Sequence, residues 1–169
     1  MSGIATLTNN YVKKAAPVKV LDTRKTTPGL RMFEKYAVAC GGAINHRFGL
    51  YDQVLIKDNH IETAGGISNA VSLVRENMPK DKKIEVEVQS IEQVKEALEN
   101  HADIIMLDNM SLDMMHQCIK MIDGKAKTEI SGGVTFERLE EISTSGADFV
   151  SVGALTHSAP AVDISMNIN

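Results

Sequence analysis

The chain has 169 residues, enough for one domain with a buried core, and its 43% apolar and 24% charged residues are ordinary for a soluble globular protein. A net charge of -4 argues against general nucleic-acid binding, and no apolar run reaches the roughly 20 residues of a membrane span, so neither nucleic acid nor membrane is expected as a partner. Cys40 and Cys118 lack a metal-binding or redox spacing, so we expect reduced core thiols in a cytoplasmic protein.

The chain starts with a helical pattern over 2–16 and continues with short β-rich runs that alternate with helical patterns. Strands are predicted at 18–22, 53–57, 83–88, 103–107, 127–131 and 148–152. Helices are predicted at 31–40, 67–78, 90–99, 111–122 and 135–144. Residues 162–168 alternate apolar and polar side chains as a strand does. The alternation of strands and helices predicts βα units around a parallel sheet.

Polar residues follow every predicted strand, which bears on the type of sheet. An open doubly wound sheet would concentrate functional residues near one switch point, whereas an α/β barrel collects them from the carboxyl ends of many strands. The distribution therefore favours a TIM-like parallel α/β barrel over residues 17–160. About six strands are predicted rather than the roughly eight of a complete barrel, so the barrel should be incomplete.

Basic residues cluster where the first two strands end. Residues 22–31 read DTRKTTPGLR and directly follow the first strand. The side chains expected at this rim are Arg24, Lys25, His46, Arg47 and Lys57. Each alone could be an ordinary surface charge, but cations cluster unfavourably without an anion between them, and arginine binds carboxylate or phosphate with two hydrogen bonds. The cluster predicts a multiply anionic ligand.

The strand at 83–88 places Ile84, Val86 and Val88 on one face and Glu85 and Glu87 on the other. Helices cover the outer face of a parallel barrel, so the glutamates should point inward. The alternative is an edge strand whose glutamates face water. In the inward arrangement Glu87, nearer the mouth, could reach hydroxyl groups or a metal, and Glu85 would lie deeper, paired with a lysine or arginine.

Asp108 ends the predicted strand 103–107, and by itself it could be a simple turn residue. Beside an inward Glu87 on the preceding strand, it would form a carboxylate pair suited to Mg²⁺ or to a ribose diol.

Two glycine turns follow later strands. Ser131-Gly132-Gly133 lies between a strand and a helix, and Gly153 follows the next strand. Glycines let backbone N–H groups approach an anion, and the loops after the last barrel strands commonly bind phosphate. An ordinary βα turn is the alternative for each.

Together these motifs resemble the quinolinate phosphoribosyltransferase family. The segments that carry the resemblance are 22–31, His46-Arg47, Lys57-Asp58-Asn59-His60, Glu85-Val86-Glu87-Val88, Leu107-Asp108-Asn109, Ser131-Gly132-Gly133 and Ser151-Val152-Gly153-Ala154. The resemblance implies that quinolinate and 5-phosphoribosyl 1-pyrophosphate (PRPP) react with Mg²⁺ present. The products would be nicotinate mononucleotide, pyrophosphate and CO₂, a step of de novo NAD synthesis.

The resemblance also implies roles for individual residues. The quinolinate carboxylates would be bound by Arg24, His46, Arg47 and Lys57, with Thr23 bordering their pocket. Lys25 would contact PRPP, and Glu87 and Asp108 would hold the ribose hydroxyls directly or through Mg²⁺. The phosphate group would lie on Ser131, Gly132, Gly133, Val152, Gly153 and Ala154. The residues implied to be catalytic are Lys25, Lys57, Glu87 and Asp108.

Members of this family carry an α/β domain before the barrel, and they dimerise so that this domain completes the partner's site. Residues 1–16 resemble the linker helix between the two domains, and 161–169 would be a strand packed on the missing domain. We therefore expect a barrel fragment with little activity alone, which is a homodimer or higher homo-oligomer when full length. The alternatives are a related phosphoribosyltransferase acting on another acid, a paralogue associated with molybdenum transport, or a non-catalytic binding module.

Overall fold

The computed structural model describes residues 1–79 and 82–168. The strands are β1 (Lys19–Leu21), β2 (Val54–Ile56), β3 (Ile84–Val88), β4 (Ile104–Asp108), β5 (Lys127–Ser131) and β6 (Phe149–Ser151). The helices are α1 (Ser2–Ala15), α2 (Arg31–Cys40), α3 (Asp58–Ala64), α4 (Ile67–Asn77), α5 (Ile91–Glu99), α6 (Leu112–Ile122), α7 (Leu139–Ser143) and α8 (Ala154–His157). Within the described ranges, no helix combines the length and apolarity needed to span a bilayer.

The six strands form one parallel sheet in the order β1-β6-β5-β4-β3-β2. From β2 to β6 each strand pairs with the next strand of the chain, and β6 returns to β1, as in a barrel. A doubly wound sheet would reverse its strand order at a switch point. The sheet remains open between β1 and β2, where Ile44 makes a single parallel bridge to Leu21. The predicted incomplete α/β barrel is confirmed.

Strand β3 shows why the sequence folds this way. It lies between β2 and β4, so the edge-strand alternative is wrong. Val86 and Val88 are fully buried in the apolar core. Glu85 and Glu87 are also buried, and Glu87 faces the cavity at the barrel mouth. The two-residue period of the strand therefore separates an apolar outer face from a charged inner face.

Predicted helix starts agree with the structure in two cases. The Ser90 hydroxyl accepts the backbone N–H of Gln93 at 3.3 Å, and the Ser111 hydroxyl accepts that of Met114 at 3.4 Å, so both serines cap their helices. The helix predicted at 135–144 instead starts at Leu139, because 136–138 form a turn. The short helices α3 and α8 were not predicted.

Residues 162–168 form no strand in this chain, and their pairing with a further domain stays a prediction. Their apolar side chains lie in water, with Ile164 77% and Ile168 87% exposed. An alternating pattern defines two faces but does not supply a hydrogen-bonding neighbour, and no strand among the described residues pairs with this segment.

The two cysteines differ in environment. Cys118 is buried in the core, as predicted. Cys40 is exposed at the end of α2, so its assignment to the core was wrong.

Candidate functional site

A cavity of about 820 Å³ lies at the carboxyl ends of the strands. The predicted site residues that line it are Thr23, Arg24, Lys25, His46, Arg47, Lys57, Glu87, Asp108, Ser131, Gly132, Gly133, Gly153 and Ala154. Val152 is the exception, since it is 1% exposed in the core and its N–H donates to the Leu21 carbonyl at 2.9 Å. The structure therefore brings residues that are far apart in the chain to one cavity, and their roles there stay predictions.

The loop after β1 is fixed by a buried ion pair that the sequence analysis missed. Asp22 is fully buried, and its carboxylate accepts hydrogen bonds from Lys35 Nζ of α2 and, at 2.8 Å, from the backbone N–H of His46. Burial raises the pKa of Asp22, and the bonds to Lys35 and His46 oppose that shift. The pair ties the segments that carry Arg24 and His46 to α2. A lysine in a helix is normally exposed, so no sequence signal marked Lys35.

Arg24 and Arg47 meet at the cavity. Arg47 is 9% exposed, and its pKa is lowered by burial and then by the like charge of Arg24. Within the described residues, neither guanidinium has a carboxylate within 4.0 Å. Two arginines that face one cavity without a counter-ion form a site for an anion.

Lys57 and Glu87 form an ion pair across β2 and β3. The Lys57 ammonium lies at the end of β2, and its Nζ is 2.6 Å from Glu87 Oε2. The Glu87 side chain is 9% exposed and that of Lys57 is 43% exposed. The lysine thus gives a largely buried carboxylate a cationic partner at the cavity wall, while part of its own surface faces the opening.

Asp108 is the second carboxylate at the mouth. Its Oδ2 accepts the side-chain amides of Asn109 at 2.8 Å and Gln89 at 3.4 Å. Among the described residues it has no cationic partner within 4.0 Å. Hard oxygen ligands with spare acceptor capacity suit Mg²⁺, so Asp108, with Glu87 on the neighbouring strand, fits the predicted metal ligands.

A second charged cluster lies on the inner face of the barrel. Nε2 of His46 is 3.3 Å from Glu85 Oε2 and 3.5 Å from Glu129 Oε1. Glu85 also accepts the side-chain amide of Gln53 at 2.8 Å, so its expected lysine or arginine partner was wrong. Glu129 was not predicted as a site residue, although its strand alternates as β3 does. Glu87, Met106 and Glu129 lie opposite one another on three neighbouring strands.

The ring of His46 is held at both nitrogens. Nδ1 accepts the backbone N–H of Arg47 at 2.7 Å, so the ring proton lies on Nε2, between the carboxylates. Burial opposes protonation of His46, but the carboxylates of Glu129 and Glu85 outweigh it and raise its pKa to about 10. A fully protonated ring would place an Nδ1–H against the Arg47 N–H, and two donors cannot hydrogen-bond to each other. We therefore describe the proton in excess of the neutral ring as shared between His46 and the carboxylates.

The glycine turn after β5 has no space for a side chain at its first glycine. Gly132 has φ +85°, and a Cβ there would overlap the side chain of Asn109. Because α7 begins only at Leu139, no helix N-terminus directly follows the turn, and an anion could approach only the backbone of the turn itself. A Cβ on Gly153 would lie 3.0 Å from Nε2 of His157 and 3.3 Å from Cδ of Lys25, so these two side chains lie over that glycine.

Nearly the whole chain is similar to proteins that are already known. The family model described as quinolinate phosphoribosyl transferase, C-terminal domain, matches residues 4–167. A Synechocystis protein named probable nicotinate-nucleotide pyrophosphorylase [carboxylating] is 48% identical over 99% of this chain and 59% of its own length. A Bacillus subtilis protein of the same name is 47% identical over the same shares. NadC from Streptococcus pyogenes superposes with TM-score 0.94 and 46% identity over 98% of this chain and 59% of that structure. The chain thus spans about three fifths of these relatives.

Proposed function

The chain belongs to the quinolinate phosphoribosyltransferase family, as a C-terminal domain, and we propose that it forms the site where quinolinate takes the phosphoribosyl group of PRPP. The observation that carries this proposal is the pair Arg24 and Arg47, two cavity-facing guanidiniums without a carboxylate partner among the described residues. A ligand with two carboxylates satisfies both, and Lys57 lies at the same rim.

In our proposal His46 does not bind a quinolinate carboxylate directly, although the resemblance implied that it would. Both ring nitrogens already contact protein groups, Nδ1 the Arg47 N–H and Nε2 the two glutamates. In our proposal the arginines and Lys57 therefore bind the carboxylates, while His46 borders the pocket and holds the Arg47 backbone in place.

PRPP would occupy the opposite side of the cavity. The turn 131–133 and the segment from Gly153 present backbone close to the opening, which suits a 5-phosphate. Lys25 lies over Gly153 and suits the pyrophosphate. Glu87 and Asp108 would hold the ribose hydroxyls and bind Mg²⁺, which neutralises charge on the pyrophosphate.

The chemistry in this proposal needs no protein nucleophile. The pyridine nitrogen attacks the anomeric carbon as pyrophosphate leaves, and positive charge develops on the ribose. The carboxylates of Glu87 and Asp108 stabilise that charge. The ring nitrogen becomes cationic when the bond forms, which favours loss of the 2-carboxylate as CO₂.

We also propose that the site is completed by an α/β domain of a second subunit, so that the chain alone has little activity. Large apolar side chains are exposed on α2 and in the loop before β2, with Phe33 51%, Tyr36 70%, Leu50 70% and Tyr51 73% exposed. A surface of this kind commonly marks a protein interface. Phosphoribosyl transfer by this chain at a rate near that of the full-length Synechocystis relative would contradict the proposed dependence.

Calorimetry tests the substrate assignment. Quinolinate should bind more tightly than nicotinate, which lacks the second carboxylate. Equal affinity would contradict a two-carboxylate site and would favour a transferase for another acid. Release of labelled CO₂ from 2-carboxyl-labelled quinolinate, dependent on PRPP, tests the reaction itself.

A further variant separates catalysis from a non-catalytic module. Glu87→Gln combined with Asp108→Asn should weaken PRPP binding in Mg²⁺. Raised stability with unchanged PRPP binding would support a module that does not use these carboxylates.

A further inference from the structure

Glu129 has no role in the reaction as proposed, yet it lies in the cavity wall. Its side chain is 1% exposed, and Oε1 has no hydrogen-bond partner. A buried carboxylate oxygen without a partner costs free energy. Nε2 of His46 lies 3.5 Å away, too poorly placed for an aligned hydrogen bond, and the Glu85 carboxylate, within 4.8 Å, is an acceptor as well. A proton held between Glu129 and His46 would remove this cost.

The surrounding groups keep such a proton in place. Because Nδ1 of His46 accepts the Arg47 N–H, the ring proton is directed at the carboxylates. Glu85 borders the same nitrogen from the other side, but it does not line the cavity, whereas Glu129 and His46 do. The His46–Glu129 pair is therefore the face of the cluster that a ligand can touch.

Decarboxylation requires a proton at this end of the cavity. When the bond between C2 and the carboxylate breaks, its electron pair remains on C2 and CO₂ leaves. The guanidiniums of Arg24 and Arg47 do not release protons in proteins, and the Lys57 ammonium is engaged by Glu87.

We propose that the His46–Glu129 pair donates the proton that replaces the lost carboxylate on C2, an inference that rests on the proposed function. The electron pair left on C2 forms the new C–H bond with this proton. The pair becomes one proton poorer, and water restores that proton after nicotinate mononucleotide leaves. Glu129 would then be a catalytic residue and Glu85 a positioning residue for His46.

A single-turnover experiment with Glu129→Gln tests the proposal, because glutamine keeps the shape but cannot act as the acid. Pyrophosphate and labelled CO₂ are followed separately, with the chain in excess over quinolinate. We expect CO₂ release to slow by at least about tenfold while pyrophosphate release stays within about twofold, because without the acid C2 recaptures CO₂. Glu99→Gln, at the exposed end of α5, makes the same change away from the cavity, and it should leave both rates unchanged. Equal slowing of both products in Glu129→Gln, or no slowing, would overturn the proposal.

A second measurement does not depend on turnover. Benzene-1,2-dicarboxylate lacks the ring nitrogen and cannot react, so the complex can be studied by ¹³C and ¹⁵N NMR at pH 7. We expect two protons on the pair in this complex, one on His46 Nε2 and a second one on Glu129 or shared between Glu129 and the ring. An ionised Glu129 beside a neutral His46 would overturn the proposal even if the chain alone were inactive. A wild-type chain that does not bind the dicarboxylate would instead contradict the two-carboxylate site, and with it the proposed function.

Discussion

Nζ of Lys57 lies 2.6 Å from Oε2 of Glu87, and this contact joins the ends of β2 and β3 at the cavity wall. The two side chains belong to strands paired in register, with Ile56 opposite Val86. A substitution that breaks this contact should therefore change both the stability of the barrel mouth and the charge at the cavity wall.

Lys57→Met should destabilise the chain and weaken dicarboxylate binding. The Glu87 carboxylate would be left largely buried without its cation, a loss of about 3–5 kcal/mol for fully buried pairs. Because Lys57 is 43% exposed, solvent should reduce the cost to about 1–2 kcal/mol. Urea unfolding measures it. The double variant Lys57→Met with Glu87→Gln should recover stability but not quinolinate affinity. A double variant that is no more stable than Lys57→Met would show that the unpaired Glu87 charge is not the cause of the lost stability.

Lys35→Met should be more damaging to the fold. Asp22 and Lys35 are buried almost completely, so removing the lysine leaves an uncompensated charge at a cost of about 3–5 kcal/mol. Thermal unfolding with circular dichroism measures the loss. The double variant Lys35→Met with Asp22→Asn removes both charges while keeping an acceptor for the His46 N–H. A double variant no more stable than the single one would contradict this explanation.

Gly132→Ala should reduce PRPP affinity. A Cβ at Gly132 would overlap Asn109, and φ of +85° disfavours alanine independently of that contact. The control is Gly124→Ala. Gly124 has φ +72°, and a Cβ added there would have no atom within 4 Å, so this variant has the backbone cost of about 1 kcal/mol without the overlap. Calorimetric titration with PRPP compares the two variants. Similar affinities would show that the turn adapts and does not shape the site.

Arg24→Gln should lower quinolinate affinity by about 10- to 100-fold, since a charge-assisted hydrogen bond contributes about 1.5–3 kcal/mol. The unliganded chain should be no less stable, because Arg47 is relieved of a like charge. Lys13→Gln, an exposed position on α1, makes the same change of charge away from the cavity. Comparable weakening in both variants would attribute the effect to net charge alone.

The His46 cluster should make stability fall at alkaline pH. The pKa of His46 is about 10 in the folded chain against 6.5 for an unperturbed histidine, so from about pH 6.5 to 10 the unfolded state loses a proton that the folded state retains. The stabilisation is complete below the lower value and is lost as the pH rises through the higher one, by up to about 1.4 kcal/mol per pH unit. Denaturant unfolding at several pH values should show this slope in the wild type and a shallower one in His46→Gln. Equal slopes would contradict a retained proton.

Much of the site could be predicted because strand period and strand ends are local properties of the sequence. Glu87 was placed by alternation and Asp108 by its position at the end of a strand, and both lie at the cavity. Glu129 obeys the same alternation, since its neighbour Ile130 lies in the apolar core while Glu129 lines the cavity. That signal was present and was overlooked.

Other features depend on contacts that no local pattern encodes. Lys35 is buried only because Asp22, 13 residues away, folds back against α2. The role of His46 depends on which atoms surround its two ring nitrogens. The sequence implied only that His46 would bind a carboxylate of the substrate. The segment 162–168 has the period of a strand but no neighbour to pair with among the described residues.

The alternation within β3 has a consequence for how such a protein can change over time. Substitutions of Val86 and Val88 change the packing of the core. Substitutions of Glu85 and Glu87, one position away, change the charge inside the barrel. A substitution at either valine should therefore alter abundance with little change of substrate preference, and one at Glu87 should do the reverse. New ligand preferences could thus arise on the inner face while the fold is inherited unchanged on the outer one.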